Sequence, residues 1–396
     1  MELDLNQVQE ALKLDNNDED ASMSAYETHH VKYGLWTVPQ RYRDLKQLGC
    51  GAYAQVCSAF DRKYNKCVAM KKLTRPLKTV DYARRALREL KLMKHFCHEN
   101  IISIIDVFTP LAYGPEDMEE IYFVVKKADG TLDQAIKTAN QNNTKFDEET
   151  IQFLVYQMVR ALKHIHSANV MHRDLKPDNI GVLEKDGIIQ ILDFGLARHV
   201  DDYMSGYVMA RWYRAPEIIL RWMRYNEKAD IWSLACIFSE MMTGKPLFPV
   251  DCWQKLLDEI INLCGTPNDK FIDKIEGENI RKCIRGFTKV EKKDLRIIHT
   301  GFSDQAIDLI EKMLKIDPDE RISVEEAIKH PFFGDLRDPP NEPTATPFVD
   351  NSEGHNLTIA DLRNQIWTEI HTFEPRPLQS IYPEDFYSSD DEEIEQ

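Results

Sequence analysis

The run His172-Arg173-Asp174-Leu175-Lys176-Pro177-Asp178-Asn179, followed by Asp193-Phe194-Gly195, constrains this chain more than any other feature. It offers a carboxylate able to orient a hydroxyl, a lysine for a phosphate in transfer, and two oxygen ligands for magnesium. Phosphoryl transfer asks little covalent chemistry of a protein. It asks for positioning and charge neutralisation, which these residue types supply. Either triplet alone reads equally well as a charged turn or a buried Phe turn. In this order, and ahead of Ala215-Pro216-Glu217, they form one set.

At 396 residues the chain is long enough for two lobes with substantial cores, and 43% hydrophobic with 29% charged residues is an ordinary soluble composition. No apolar run reaches the length of a membrane span, and the start Met1-Glu2-Leu3-Asp4 lacks the basic and apolar regions of a signal peptide. The eight cysteines are scattered, without a Cys-x-x-Cys pair, which suits free thiols in a reducing compartment. The net charge of -16 is uneven: residues 1–34 carry about -6, and Glu384 to Gln396 has acids as its only charged residues, about -7. A nearly neutral body without basic stripes argues against nucleic-acid binding.

Residues 1–34 read as a flexible acidic arm. Strand-like runs follow at Ala52–Phe60, Lys66–Leu73 and Ile121–Val125, with a helical pattern from Val80 to His95 between the last two. This predicts a small sheet carrying one helix over 35–126. From 127 to 335 the pattern is helical, with helices predicted at Glu148–Ser167, Ile218–Arg224, Ala229–Thr243, Trp253–Leu263, Asp304–Leu314 and Val324–His330. Residues 336–396 form an extension, Pro-rich from Asp338 to Pro347 and acidic at its end.

Gly49-Cys50-Gly51-Ala52-Tyr53-Ala54-Gln55-Val56 sits between two strand-like runs, where glycines let backbone approach phosphates. A plain hairpin would explain it nearly as well. Ala69-Met70-Lys71 places Lys71 on a strand to meet nucleotide phosphates, with Glu89 on the next helix as its ion-pair partner. Asp174 is the candidate base or hydroxyl-orienting group, Lys176 its companion, and Asn179 and Asp193 the candidate magnesium ligands.

These residues resemble the eukaryotic protein kinases from Tyr42 to Phe333. Lys176, two residues after Asp174, is similar to the serine/threonine-kinase pattern. The stretch from Asp193 to Glu217, with Ser205-Gly206-Tyr207 inside it, resembles the activation segment of the mitogen-activated protein (MAP) kinases, in the stress-activated, osmosensing branch that carries Thr-Gly-Tyr. The resemblance implies an α+β, bilobal fold: a small β-rich N-lobe, a large helical C-lobe with the MAP-kinase insert at about 247–300, and an extension wrapping back toward the small lobe. It implies ATP and Mg2+, phosphorylation of Ser205 and Tyr207 by an upstream dual-specificity MAP kinase kinase, and reversal by phosphatases. Arg85, Arg88 and Arg173 match the positions that receive the first phosphate; Arg211 and Arg214 match those for the second. Protein substrates would carry Ser-Pro or Thr-Pro sites, as in transcription factors or downstream kinases. A cytoplasmic and also nuclear monomer, without nucleic-acid or membrane partners, completes the expectation.

Several positions depart from that pattern. Ala54 replaces a glycine, Val125 and Thr131 replace a threonine and an aspartate, and Lys126-Lys127-Ala128 makes a more charged linker. Ala210 replaces a threonine whose hydroxyl, in the family, bonds the catalytic Asp and Lys. Losing such a bond costs about 1.5–3 kcal/mol, or about 10- to 100-fold in rate if expressed in the transition state. The acidic docking cluster thins to Asp338 and Glu342. These departures motivate a second class, a catalytically weak kinase-fold adaptor that competes for pathway partners; turnover of a protein substrate separates the two.

Overall fold

Alternation along the strands sets the first layer of the fold, in a computed structural model that describes residues 25–51, 53–110, 112–185, 187–199, 211–220, 226–350 and 357–377. The chain divides into two units. Met1–Leu90, Ile104–Lys127 and Asn356–Gln396 form the first, and Lys91–Ser103 with Ala128–His355 the second.

In the first unit, β1 (Tyr26–Val31) and β2 (Gly34–Pro39) make an antiparallel hairpin. Strands β3 (Tyr42–Cys50), β4 (Ala54–Asp61), β5 (Lys66–Leu73), β6 (Ile104–Phe108) and β7 (Ile121–Lys126) form a five-stranded antiparallel sheet in the order β3-β4-β5-β7-β6. Helix α1 (Val80–His95) follows β5, with the limits its periodicity predicts. Cys57, Ala59, Val68, Met70, Tyr122 and Val124 turn one face of the sheet into a core that also takes Trp36 and Val38 from the hairpin. Each fully buried aliphatic side chain there contributes about 1.5–3 kcal/mol. Lys71 follows Met70 on β5 and therefore points to the opposite face.

Two expectations need correction here. Residues 26–34 are not part of a flexible arm, because pairing with β2 buries Val31 at 6% exposure beside Trp36. The extension also contains a helix that the sequence reading passed over, Ile359–His371, with Leu362, Ile366 and Ile370 buried at helical spacing. Thr358 and Asp361 cap it reciprocally, and Arg363 Nη1 donates to Glu116 O at 2.6 Å within the first unit.

The second unit is built on two buried helices. Here α2 is Leu132–Gln141, α3 Glu148–Ser167, α4 Pro216–Ile219 and α5 Lys228–Thr243. Helix α5 is buried almost all round, as its apolar sequence predicts. The insert supplies α6 (Trp253–Cys264), α7 (Asp269–Lys274) and α8 (Glu278–Arg285), followed by α9 (Asp304–Met313) and α10 (Val324–Ala327). Helix α4 covers Pro216–Ile219, and residues 221–224 of the predicted Ile218–Arg224 helix lie outside the described residues. The predicted Val324–His330 helix is shorter than expected: α10 stops three residues before His330-Pro331. Pro331 lacks the N–H that a continuing helix would need. Short strands β8 (Gly130–Thr131), β10 (Ile180–Leu183) and β11 (Ile188–Ile191) pair in the order β11-β10-β8, while β9 (Val170–Met171) pairs with β12 (Arg198–His199). Residues 341–348 lie along α3: Arg160 Nε donates to Asn341 O at 2.9 Å and Phe348 N to Ala168 O at 2.9 Å.

Candidate active site

The first unit holds the lysine and the glycine loop. Lys71 lies opposite Val56 on β4 and Phe123 on β7, and its Nζ is ion-paired with Glu89 Oε1 of α1. Glu89 is only 2% exposed, so the pair sits largely out of water. Ala69 pairs with Val125 one strand away. At the loop, Gly51 N donates to Ala54 O at 2.8 Å and Gln47 Nε2 to Val56 O at 2.9 Å, which closes the β3–β4 turn. Cys50 is exposed, Ala54 begins β4, and Gly49 and Gln55 pair within the ladder; Ala52 lies outside the described residues. Tyr53 meets the Tyr82 ring edge-on at 5.5 Å and carries the Arg85 guanidinium over its face at 4.4 Å.

The second unit holds the other group, on the turn between β9 and β10. Its backbone is fixed from below by Asp230 of α5, which is fully buried. His172 N donates to Asp230 Oδ2 and Arg173 N to Oδ1, both at 2.8 Å, while His166 Nε2 lies 3.0 Å from Oδ2. Burial pushes the Asp230 carboxyl upward. The His166 hydrogen bond, the neighbouring His charges and the Arg173 N–H outweigh that and hold it below the usual carboxylate range. Arg173 needs this support because it adopts a left-handed φ of 70°, unfavourable for a side chain of its kind.

Above that base, Asp174 is drawn together with its neighbours. Asn179 Nδ2 donates to Asp174 Oδ2 at 2.8 Å and to Asp174 O at 2.7 Å, and Lys176 Nζ stands 3.6 Å from Asp174 Oδ2. A carboxylate oriented in this way can accept a hydrogen bond from an incoming hydroxyl. The β10–β11 ladder pairs Ile180 with Ile191, and Leu192 N donates to Asn179 O at 2.8 Å, so Asn179 and Asp193 flank the same end of one hairpin. Asp193 has a φ of 59°, with Oδ1 accepting from Gly195 N at 3.0 Å. Asn179 spends its amide N–H groups on Asp174, so the hard donor it has to offer an ion is its amide oxygen. An amide oxygen and a carboxylate at one hairpin end fit Mg2+, which takes few protein ligands beside phosphate oxygens. Phe194 is fully buried, with its ring centre 5.2 Å from Phe96 and 5.3 Å from His172.

The remaining predicted residues are scattered. Arg85 and the buried Arg88 belong to the first unit, and the buried Arg173 and half-buried Arg214 to the second. The Arg211 side chain, Ser205, Tyr207 and Ala210 lie outside the described residues, as does the acidic tail. Asp338 is exposed, but Glu342 is 7% exposed and held by Lys163 Nζ at 3.0 Å and Arg337 Nε at 2.9 Å. Its carboxylate is occupied inside the chain, which leaves Asp338 as the outward acid of that pair. Thr131 serves as the N-cap of α2, accepting from Gln134 N at 3.3 Å.

Sequence reading missed Asp230 as the anchor of the turn, and Arg321 as the partner of Glu217. Arg321 Nη1 and Nη2 meet the two Glu217 oxygens at 2.7 and 2.9 Å, with both side chains fully buried. A lone Asp within the apolar pattern of Ala229–Thr243 was the available signal, since an unpaired buried carboxylate would be costly.

The protein kinase domain family matches residues 42–333. Mitogen-activated protein kinase 14 of Xenopus laevis is 43% identical over 346 residues, covering 87% of this chain and 94% of that protein. Mitogen-activated protein kinase p38b of Drosophila melanogaster is 44% identical over 342 residues, with 86% and 92% covered. Mitogen-activated protein kinase 12 of Danio rerio is 42% identical over 356 residues, with 90% and 96% covered. With a β-rich unit, a helical unit and these relatives, the chain belongs to the protein kinase family, as a serine/threonine kinase of the stress-activated MAP kinase type.

Proposed function

We propose that the chain transfers the γ-phosphoryl group of ATP to Ser or Thr hydroxyls followed by proline, and that phosphorylation of Ser205 and Tyr207 switches it on. The observation that carries this reading is the arrangement of Asp174, hydrogen-bonded by Asn179 and approached by Lys176, on a turn clamped to Asp230.

In this reading Asp174 orients the acceptor hydroxyl and takes up its proton as the new P–O bond forms. Lys176 neutralises charge that develops on the transferring phosphoryl oxygens. Lys71, held by Glu89, binds the nucleotide phosphates, and the 49–56 turn offers them backbone N–H groups. Asn179 and Asp193 would hold Mg2+, which supplies charge neutralisation on the nucleotide when bound. Arg85, Arg88 and Arg173 would receive the phosphate on Ser205, and Arg211 and Arg214 that on Tyr207, ordering the segment through charge-assisted hydrogen bonds. The upstream activator would be a dual-specificity MAP kinase kinase, with phosphatases opposing it. Asp338 would contribute to docking; Glu342 would act indirectly, by fixing the extension.

The test compares protein doubly phosphorylated on Ser205 and Tyr207, unphosphorylated protein, and Asp174→Asn, using Mg-ATP and Ser-Pro or Thr-Pro substrates. The doubly phosphorylated form is expected to turn over substrate, with Asp174→Asn slower by about a hundredfold or more at unchanged Tm. No turnover despite full loop phosphorylation would overturn the reading and favour the adaptor.

A further inference from the structure

We propose that Tyr53, at the tip of the 49–56 turn, is a positioning residue that ties nucleotide binding to the phosphate on Ser205 through the guanidinium of Arg85. This rests on Arg85 being a receiver of that phosphate, and it gives the receiver a second partner, on the loop that meets the nucleotide.

The turn is held at two places, by contacts of different kinds. At its base the β3–β4 ladder slips between Gln47 and Gly49, and the Gln47 amide spans the irregularity, donating to Val56 O at 2.9 Å and to Gly49 O. At its tip Tyr53 O accepts from Thr74 N at 2.8 Å, and the Tyr53 ring reaches across to α1. There it meets Tyr82 edge-on and lies beneath Arg85, whose guanidinium carbon is 4.4 Å from the ring centre. Tyr82, Arg85 and Glu89 follow one another at spacings of three and four, so they share one face of α1. The face that grips the loop tip therefore also holds Lys71, through Glu89.

Arg85 decides the direction of the coupling. It is half-buried, and among the described residues no carboxylate pairs with it; the face of Tyr53 is what its guanidinium meets. An arginine laid on an aromatic face keeps its donors in the guanidinium plane, where a phosphate can take two of them at once. Ring and phosphate therefore use different surfaces of the same group and do not compete for it. The ring also restricts a long side chain, so part of the ordering that phosphate capture demands is already done. By linkage the help is mutual. A captured phosphate fixes Arg85, and a fixed Arg85 holds the tip of the turn in place for the nucleotide. A cation–π contact at an exposed site corresponds to a factor of about two to five in an equilibrium constant. The π face makes this contact, so phenylalanine can replace tyrosine and alanine cannot.

The test measures the Kd of Mg-ADP by titration calorimetry on the full chain, in a form phosphorylated on Ser205 and in an unphosphorylated form. Wild type, Tyr53→Phe and Tyr53→Ala are compared. Phosphorylation is expected to tighten Mg-ADP by about two- to fivefold in wild type and in Tyr53→Phe, and to leave Kd unchanged in Tyr53→Ala. Tyr53 is 46% exposed, so its variants are expected to fold, and the ratio of the two forms cancels any loss of affinity common to both. Arg85→Lys keeps the charge but not the planar fork, and is expected to lose the tightening as well. Full tightening in Tyr53→Ala or in Arg85→Lys overturns the proposal. Equal affinity of the two wild-type forms also overturns it, and leaves the phosphoryl-transfer reading standing where the doubly phosphorylated chain turns over Ser-Pro peptides. Absence of that turnover defeats the underlying reading, and the coupling with it.

Discussion

The turn at His172–Asn179 and the loop at Gly49–Val56 differ in how firmly their own units hold them. The turn has its backbone N–H groups on a carboxylate 57 and 58 residues away in sequence, and His172 and Arg173 are almost completely buried. The loop is closed by bonds to near neighbours, such as Gly51 to Ala54, and Tyr53 remains 46% exposed, with Arg85 over its ring. Long-range buried bonds open only when the core opens, whereas local exposed ones rearrange at little cost. A group that must orient a hydroxyl benefits from the first arrangement. A loop that must admit and release a nucleotide benefits from the second.

Breaking the buried anchor gives the largest expected effect. Asp230→Ala strands the His172 and Arg173 amides and removes the partner of His166, at a cost of about 3–5 kcal/mol in unfolding free energy. Turnover should fall with it, because the Arg173 N–H loses the carboxylate that braces its left-handed backbone. Equilibrium denaturation and kcat on the same preparation check this; wild-type stability and rate together would show the anchor to be dispensable.

In the first unit the two effects should separate. Lys71→Met is expected to lower kcat/KM for ATP by about 10- to 100-fold. The double variant Lys71→Met/Glu89→Met should keep that loss even where its Tm returns to the wild-type value, since a buried ion pair can be replaced by apolar contact without loss of stability. Nucleotide titration kinetics and calorimetry on both variants test the separation.

A smaller effect sharpens the contrast through pH. His98 in the second unit accepts from Asn100 N at 3.0 Å and is nearly buried. Burial, followed by the charges of His164 and Arg160, pushes its ring down to about 3. The unfolded ring takes up a proton near pH 6.5, while the folded ring refuses it until far lower pH. Stability from this group is therefore complete above about pH 6.5 and falls with decreasing pH, by up to about 2 kcal/mol at pH 5. Denaturation midpoints between pH 7 and 5 should fall more steeply for wild type than for His98→Gln. Parallel curves would remove His98 from the account.

Much of the fold was legible because its signals are local. The limits of Lys66–Leu73, Val80–His95 and Glu148–Ser167 coincide with the periodicity that predicts them. The 26–34 segment was not legible, because its short alternation becomes a strand only against Trp36 and Val38. The 359–371 helix was passed over between a Pro-rich run and an acidic tail, although its capping pair and the Leu362, Ile366 and Ile370 spacing were present.

The sequence by itself determined which chemical groups the chain could bring to bear, since Asp174, Lys176, Asn179 and Asp193 lie close enough along the chain to be read as one set. Tertiary structure alone decided what holds or occupies those groups. Asp230 reaches the turn from α5, Arg321 reaches Glu217 across 104 residues, and Glu342 is drawn inward by Lys163 and Arg337. The physical reason is that a buried polar group must find partners wherever the packed chain places them, and those partners follow no local spacing that a sequence displays.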